Sequence, residues 1–187
     1  MAQLILTTRK LLDRRQMLRS LLKKISLVAD GPVVTLRSFG QGLVMGAQDA
    51  EMKVADYRSW RFALCAKSFR GNYFEYWNSN GKDAFSLYRA YLNIYQMKCG
   101  EEAEFLCLHT DPQEPNSSHA AKYKRGPHFH ISVAGDPFKH AHIALNHQFL
   151  PSVLKTPQTL THAFQCAIQM IRDEILSQFE PSDSAAA

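Results

Sequence analysis

The sequence predicts an α+β domain, an antiparallel β-sheet packed against an N-terminal basic amphipathic helix and a C-terminal amphipathic helix. Three observations carry this expectation. Apolar residues recur near the helical period at both ends of the chain. Twelve of the 20 aromatic residues lie between Tyr57 and Tyr95, a bias that favours strands. Clusters of Gly, Asn and Pro cut the middle of the chain into short runs.

The elements follow in order. Residues 4–28 read as one helix, with Leu11, Leu18, Leu21, Leu22 and Ile25 on its apolar stripe, and Asp30-Gly31-Pro32 ends it. Val33 to Phe39 reads as a strand, and Gly40, Gly42 and Gly46 read as a loop. Strands are expected at 59–68, 72–77 and 86–98, with turns at Arg70-Gly71-Asn72 and at Asn78-Ser79-Asn80-Gly81. In the third of these strands Ala90, Leu92 and Ile94 share one face, and Arg89, Tyr91, Asn93 and Tyr95 share the other. A turn at Cys99-Gly100 leads into a strand at Phe105–Thr110.

Residues 111–127 carry three prolines and no apolar period, as a mobile loop would. Two short strands, His128–Val133 and His142–Leu145, flank Gly135-Asp136-Pro137. Thr156 and Pro157 are an N-cap and a first-turn residue for the last helix, whose stripe is Leu160, Phe164, Ile168, Ile171, Ile175 and Phe179. The whole reads as a single domain over 1–180, with a sheet of about five to seven strands and a disordered tail at 181–187.

Charge narrows the partners. The net charge is +5, but residues 1–29 hold seven basic side chains (Arg9, Lys10, Arg14, Arg15, Arg19, Lys23 and Lys24) against Asp13, a local +6. The remainder has 15 basic and 16 acidic groups, a net −1, so a body that coats a polyanion over its whole surface is excluded. Nucleic acid could be bound through residues 1–29 and through the aromatic face, where Arg58, Arg61, Lys67, Arg70, Lys82 and Arg89 interleave with Tyr and Trp. For both segments the plainer reading is a solvated charged face over packed apolar residues. No apolar run approaches the ~20 residues of a transmembrane helix, and the N-terminus lacks a signal-peptide core, so a cytoplasmic protein is expected. Cys65, Cys99, Cys107 and Cys166 show no CxxC spacing, and 65, 107 and 166 sit among apolar neighbours, which reads as buried reduced thiols.

Histidine carries the chemistry. Six of the eight histidines fall between His109 and His142. His109-Thr-Asp111, His128-Phe-His130 and His140-Ala-His142 each place two polar groups two residues apart, hence on one face of a strand. If those strands are neighbours, imidazoles and a carboxylate converge, away from the core side that Phe129, Ile131 and Ile143 would occupy. Two chemistries fit. His128 and His130, with His109 and His142 as partners and Asp111 orienting a ring, could act as general base and acid while Arg125, Lys124 or Arg89 holds a phosphate. Alternatively His128, His130 and His109, with Asp111, could bind Zn²⁺ or another divalent ion. His119, His147 and His162 read as incidental.

The stretch Leu108-His109-Thr-Asp111-Pro112, then Pro127-His128-Phe-His130, then His140-Ala-His142, resembles a group of little-characterised bacterial proteins with an LHxDP…PHxH…HxH pattern. The resemblance covers about 104–179 and implies only that His109, His128, His130 and His142 act as a unit. Histidine-triad nucleotide hydrolases are a second comparison, but Ser132 stands where their third histidine would be. Small toxin nucleases are similar in size and charge. The expected function is a His-dependent phosphodiesterase or ribonuclease-like hydrolase, metal-assisted or not. The alternative is a non-enzymatic nucleic-acid- or protein-binding component of a bacterial system.

Overall fold

The computed structural model describes residues 4–50, 54–115, 117, 121–131, 141–145 and 150–179. His119, Ser132, Val133, His140, His147 and the 181–187 tail lie outside them, as do the expectations that fell there.

The architecture is the expected α+β one, with a larger sheet. Nine antiparallel strands are present among the described residues. They are β1 (Ile5–Leu6), β2 (Val33–Phe39), β3 (Gly42–Gln48), β4 (Phe62–Ala63), β5 (Phe69–Ser79), β6 (Phe85–Lys98), β7 (Glu101–Thr110), β8 (His128–Ile131) and β9 (Ala141–Ala144). The main path runs β2-β3-β5-β6-β7-β8-β9, with β1 added on β6 and β4 on β5. It is a meander, since the strands of the path follow one another in chain order and only β4 is skipped. The β6–β7 hairpin turns on Cys99 and Gly100, both at positive φ (52° and 87°), the backbone that a two-residue hairpin loop with right-handed strand twist requires.

The helices are α1 (Thr8–Leu22), α2 (Ala121–Lys124), α3 (Leu150–Val153) and α4 (Pro157–Met170), and α1 and α4 pack on one face of the sheet. Leu11, Leu18, Leu21 and Leu22 of α1 and Leu160, Phe164 and Ile168 of α4 meet Tyr73, Trp77, Leu92, Leu108 and Phe129 from the strands. Thr156 caps α4 through a reciprocal bond with Thr159, and Pro157 sits in the first turn, as expected. The stripe continues through a π turn at Ile171–Ile175 to Phe179, whose ring meets Phe69 and Phe105.

Several local expectations are corrected. The N-terminal helix does not span 4–28: Ile5–Leu6 pair with β6, Thr7 caps the helix at Thr8, and it ends at Leu22. Phe62–Ala63 is the only strand in 59–68, and Arg70-Gly71-Asn72 lies inside β5 rather than in a turn. Gly42 and Gly46 are strand residues. A Cβ on Gly46 would come within 2.6 Å of the Trp60 ring, so this glycine serves close packing and not a loop. Among the cysteines only Cys107 is buried; Cys65 is half-buried, and Cys99 and Cys166 are exposed. The 111–127 stretch contains a helical turn, α2 (Ala121–Lys124), tied back by Asp111 N–H donating to Lys124 O at 2.9 Å.

Arg14 is the largest departure. The charge pattern places it among the solvated cations of α1, yet it is 1% exposed. Its position continues the Leu11–Leu18–Leu21 stripe. Its guanidinium grips Glu75 of β5 in a fork, Nε to Oε2 at 2.8 Å and Nη2 to Oε1 at 2.5 Å. Tyr73 Oη and Trp77 Nε1 also donate to Glu75, at 2.6 and 3.1 Å, and Arg14 Nη1 donates to Pro157 O and Thr161. Burial disfavours the charged guanidinium, but Glu75 more than offsets this and holds it above its ordinary value. One buried ion pair therefore joins both helices to the sheet.

Candidate metal centre

Strand register builds the site. Tyr91 of β6 lies opposite His109 of β7, which lies opposite His128 of β8. The next row on the same face is Asn93, Cys107 and His130, and His142 of β9 is the register partner of His130. The alternate residues Leu92, Leu108 and Phe129 point into the helix-side core, so both rows occupy the face away from the helices. His128 is nevertheless only 1% exposed, whereas the sequence placed it outward. Ile143, expected to face the core, is 50% exposed on the last strand of the path.

His109, Asp111 and His128 come together, with one ligand atom from each lying within 4.8 Å of the others. The His109 ring stacks on Tyr91 at 3.8 Å, stands edge-on to His128 at 5.9 Å and stacks on His130 at 5.2 Å. His128 Nε2 is 4.0 Å from Asp111 Oδ2.

Each of the three groups has a partner that orients it. His128 Nδ1–H donates to Gly126 O at 2.9 Å, so in the neutral ring Nε2 keeps its lone pair toward Asp111. Tyr91 Oη–H donates to Asp111 Oδ1 at 2.5 Å. His109 Nε2 is 2.7 Å from Asn93 Oδ1. The proton there follows from a chain of amides. Asn72 Nδ2 donates to the carbonyls of Trp60 (2.8 Å) and Tyr57 (3.2 Å), so its Oδ1 accepts from Asn93 Nδ2 at 3.2 Å. Asn93 therefore presents oxygen to His109, whose Nε2 must carry the hydrogen and whose Nδ1 keeps the lone pair. Histidines held this way are the ones that bind metals well, because the outer hydrogen bond fixes tautomer and orientation.

The electrostatics agree. Burial is the main reason the His128 imidazole is held below its ordinary pKa, and it is the neutral ring that ligates. Burial likewise raises the Asp111 carboxyl, with Tyr91 and Arg89 pulling it partly back. The Tyr91 hydroxyl is pushed above its ordinary value by burial and then by Asp111, so it stays a donor.

A cleft of about 170 Å³ opens beside Asp111, lined by Tyr88, Arg89, Tyr91, Gln113, Glu114 and Lys124 among others. It is smaller than the roughly 300 Å³ at which ordinary organic-ligand pockets begin, and suits a small polar group. A β-bulge in β6 shapes it. Tyr76 pairs with Arg89 but Trp77 pairs with Leu87, so Tyr88 is the extra residue. Tyr88 then meets Tyr76, and Arg89 lies over Tyr88 at 4.6 Å on the same side.

The remaining expected site residues are placed as follows. His130 lies in the second row beside Cys107, and a ligand atom of each comes within 4.8 Å of one from Glu104, which pairs with Tyr95 in the row beyond. His142 is opposite His130 in register. Arg125 donates through Nε and Nη2 to Glu114 O, at 3.0 and 2.6 Å, and so braces the loop after Asp111. The aromatic face is packed: Trp60, Phe74 and Val44 form a second small core with Tyr57, Tyr76 and Tyr91 against it. Arg61 lies over Tyr95 and pairs with Glu102. Sequence reasoning put Tyr91 and Asn93 on the right face but did not join them to the histidines. It also missed Asn72, Glu104 and Cys107.

No protein-family model, curated protein or solved structure matches this chain. The functional reading therefore rests on the site itself.

Proposed function

We propose that this protein is a metal-assisted, His-dependent hydrolase of the phosphodiesterase or ribonuclease-like kind. The observation that carries the reading is the trio His109, Asp111 and His128, whose ligand atoms lie within 4.8 Å and each of which is oriented by a hydrogen bond from outside the trio. Two imidazoles and a carboxylate are a ligand set for Zn²⁺ or a similar ion that leaves room for water. Such an ion, when bound, lowers the pKa of water and offsets charge developing on a phosphoryl oxygen. The chain supplies the rest. Arg89 and Lys124 at the cleft beside Asp111 hold the phosphate oxygens, and Arg125 keeps the Asp111–Lys124 loop in place.

The reading as a nucleic-acid-binding component rests on Arg9, Lys10, Arg19, Lys23 and Lys24, all exposed on α1 or just after it. That helix packs on the face opposite the histidines, so its cations are not positioned to present a strand to the trio. Hydrolysis of a chromogenic phosphodiester by the full chain, with and without added Zn²⁺ or Mn²⁺, tests the proposal. Metal-dependent turnover that falls to background in His128→Ala supports it. Turnover indifferent to chelator and to His128→Ala rejects it.

A further inference from the structure

We propose that Glu104, Cys107 and His130 form a second metal site, separate from the trio, for a thiophilic divalent ion such as Zn²⁺. One ligand atom from each residue lies within 4.8 Å of the others. Three donors around a tetrahedral zinc sit about 3.4–3.8 Å apart, given Zn–N and Zn–S bonds of about 2.0–2.3 Å, so small side-chain movements complete the site. Cys107 and His130 are register partners across β7 and β8, which fixes two of the donors on rigid backbone.

The third donor arrives by a second β-bulge. Ile94 pairs with Leu106 but Tyr95 pairs with Glu104, leaving Phe105 as the extra residue. Without it, Glu104 would share the helix side with Leu106. With it, Phe105 turns to the helix side, where it meets Phe69 and Phe179, and Glu104 turns to the side of Cys107. Bulges that re-aim a side chain are concentrated at functional sites. The burial grades in the useful direction: Cys107 is buried, His130 half-buried and Glu104 exposed, so an ion can enter from the carboxylate side. A thiolate in the set favours zinc over magnesium or calcium. On binding, the Cys107 S–H bond is replaced by an S–metal bond and the proton leaves to solvent. The inference stands whether or not the trio catalyses hydrolysis.

Anaerobic titration of the reduced full chain with Co²⁺ tests it, because a cobalt–thiolate bond gives a near-ultraviolet charge-transfer band. The wild type should show this band, saturating when the thiolate site is full. Cys107→Ser should abolish it, and Glu104→Gln, an exposed change that leaves folding intact, should weaken cobalt binding on the order of tenfold or more. Asp111→Asn should leave the band unchanged. A folded wild type without the band overturns the proposal. So does a band that survives Cys107→Ser, which would place the thiolate elsewhere, or one unaffected by Glu104→Gln. Loss of the band in Asp111→Asn would mean one shared site and overturns its separateness.

Discussion

Asn93 Oδ1 lies 2.7 Å from His109 Nε2, and Asn93 is itself oriented by Asn72. The proton on His109 is thus set by backbone carbonyls at Tyr57 and Trp60, two amide side chains away. Replacing Asn93 with Leu should leave the sheet intact but free the His109 ring to change tautomer. Zinc affinity at the trio should fall about 10- to 100-fold. Asn72 Oδ1 also loses its donor, at a cost of about 1–3 kcal/mol in folding stability. Calorimetric zinc titration beside urea unfolding measures both; unchanged affinity would show that the relay does not orient His109.

Arg14 and Glu75 form the buried pair that joins α1 and α4 to β5. Arg14→Met should destabilise the fold by about 3–5 kcal/mol, since it strands a buried carboxylate. Charge reversal at the exposed Arg19 should cost little, because surface charges contribute at most about 1 kcal/mol. Urea denaturation of the two variants separates them, and similar midpoints would contradict the burial of Arg14.

Gly46 faces the Trp60 ring. Gly46→Ala should cost about 1–3 kcal/mol through overpacking, while β2 and β3 remain paired. Thermal unfolding followed by tryptophan fluorescence reports the loss together with the displacement of Trp60. An unperturbed melting curve and spectrum would mean that the ring is not held against Gly46.

Asp83 accepts hydrogen bonds from the Thr8 side chain and from Thr8 N–H, the latter at 2.8 Å, at the start of α1, and these two, the side-chain bond first, hold its carboxyl below the ordinary value of 3.8. A depressed folded-state pKa means that the contribution is complete above about pH 4 and is lost as pH falls through the folded value. The stability gap between wild type and Asp83→Ala should therefore be constant near neutrality and should shrink under acid. A gap that grows on acidification would reverse the assigned sign.

Legibility in the sequence followed the reach of each signal. Period-two spacing alone placed His128 with His130, and His109 with Asp111, on shared faces, and alternation in β6 put Tyr91 and Asn93 on one side. Those are within-strand relations. The site depends on which strand lies beside which and in what register, and on two single-residue bulges, at Tyr88 and Phe105, that carry no sequence mark. Cys107 was hidden by Leu106 and Leu108, whose apolar character belongs to the opposite face. Arg14 falls on the leucine period of α1, but a cation at such a position has the same sequence signature as one on a solvated face. Gly42 and Gly46 look like loop residues in the sequence because tight packing and turn geometry demand the same residue.

The most direct test of the metal centre is zinc binding by the trio alone, measured by calorimetry in a Cys107→Ser background that removes the thiolate. One zinc should bind, and adding His128→Ala should weaken it by at least about 100-fold while the far-ultraviolet circular dichroism stays the same. Equal affinity with and without the His128 imidazole would contradict a metal centre at His109, Asp111 and His128.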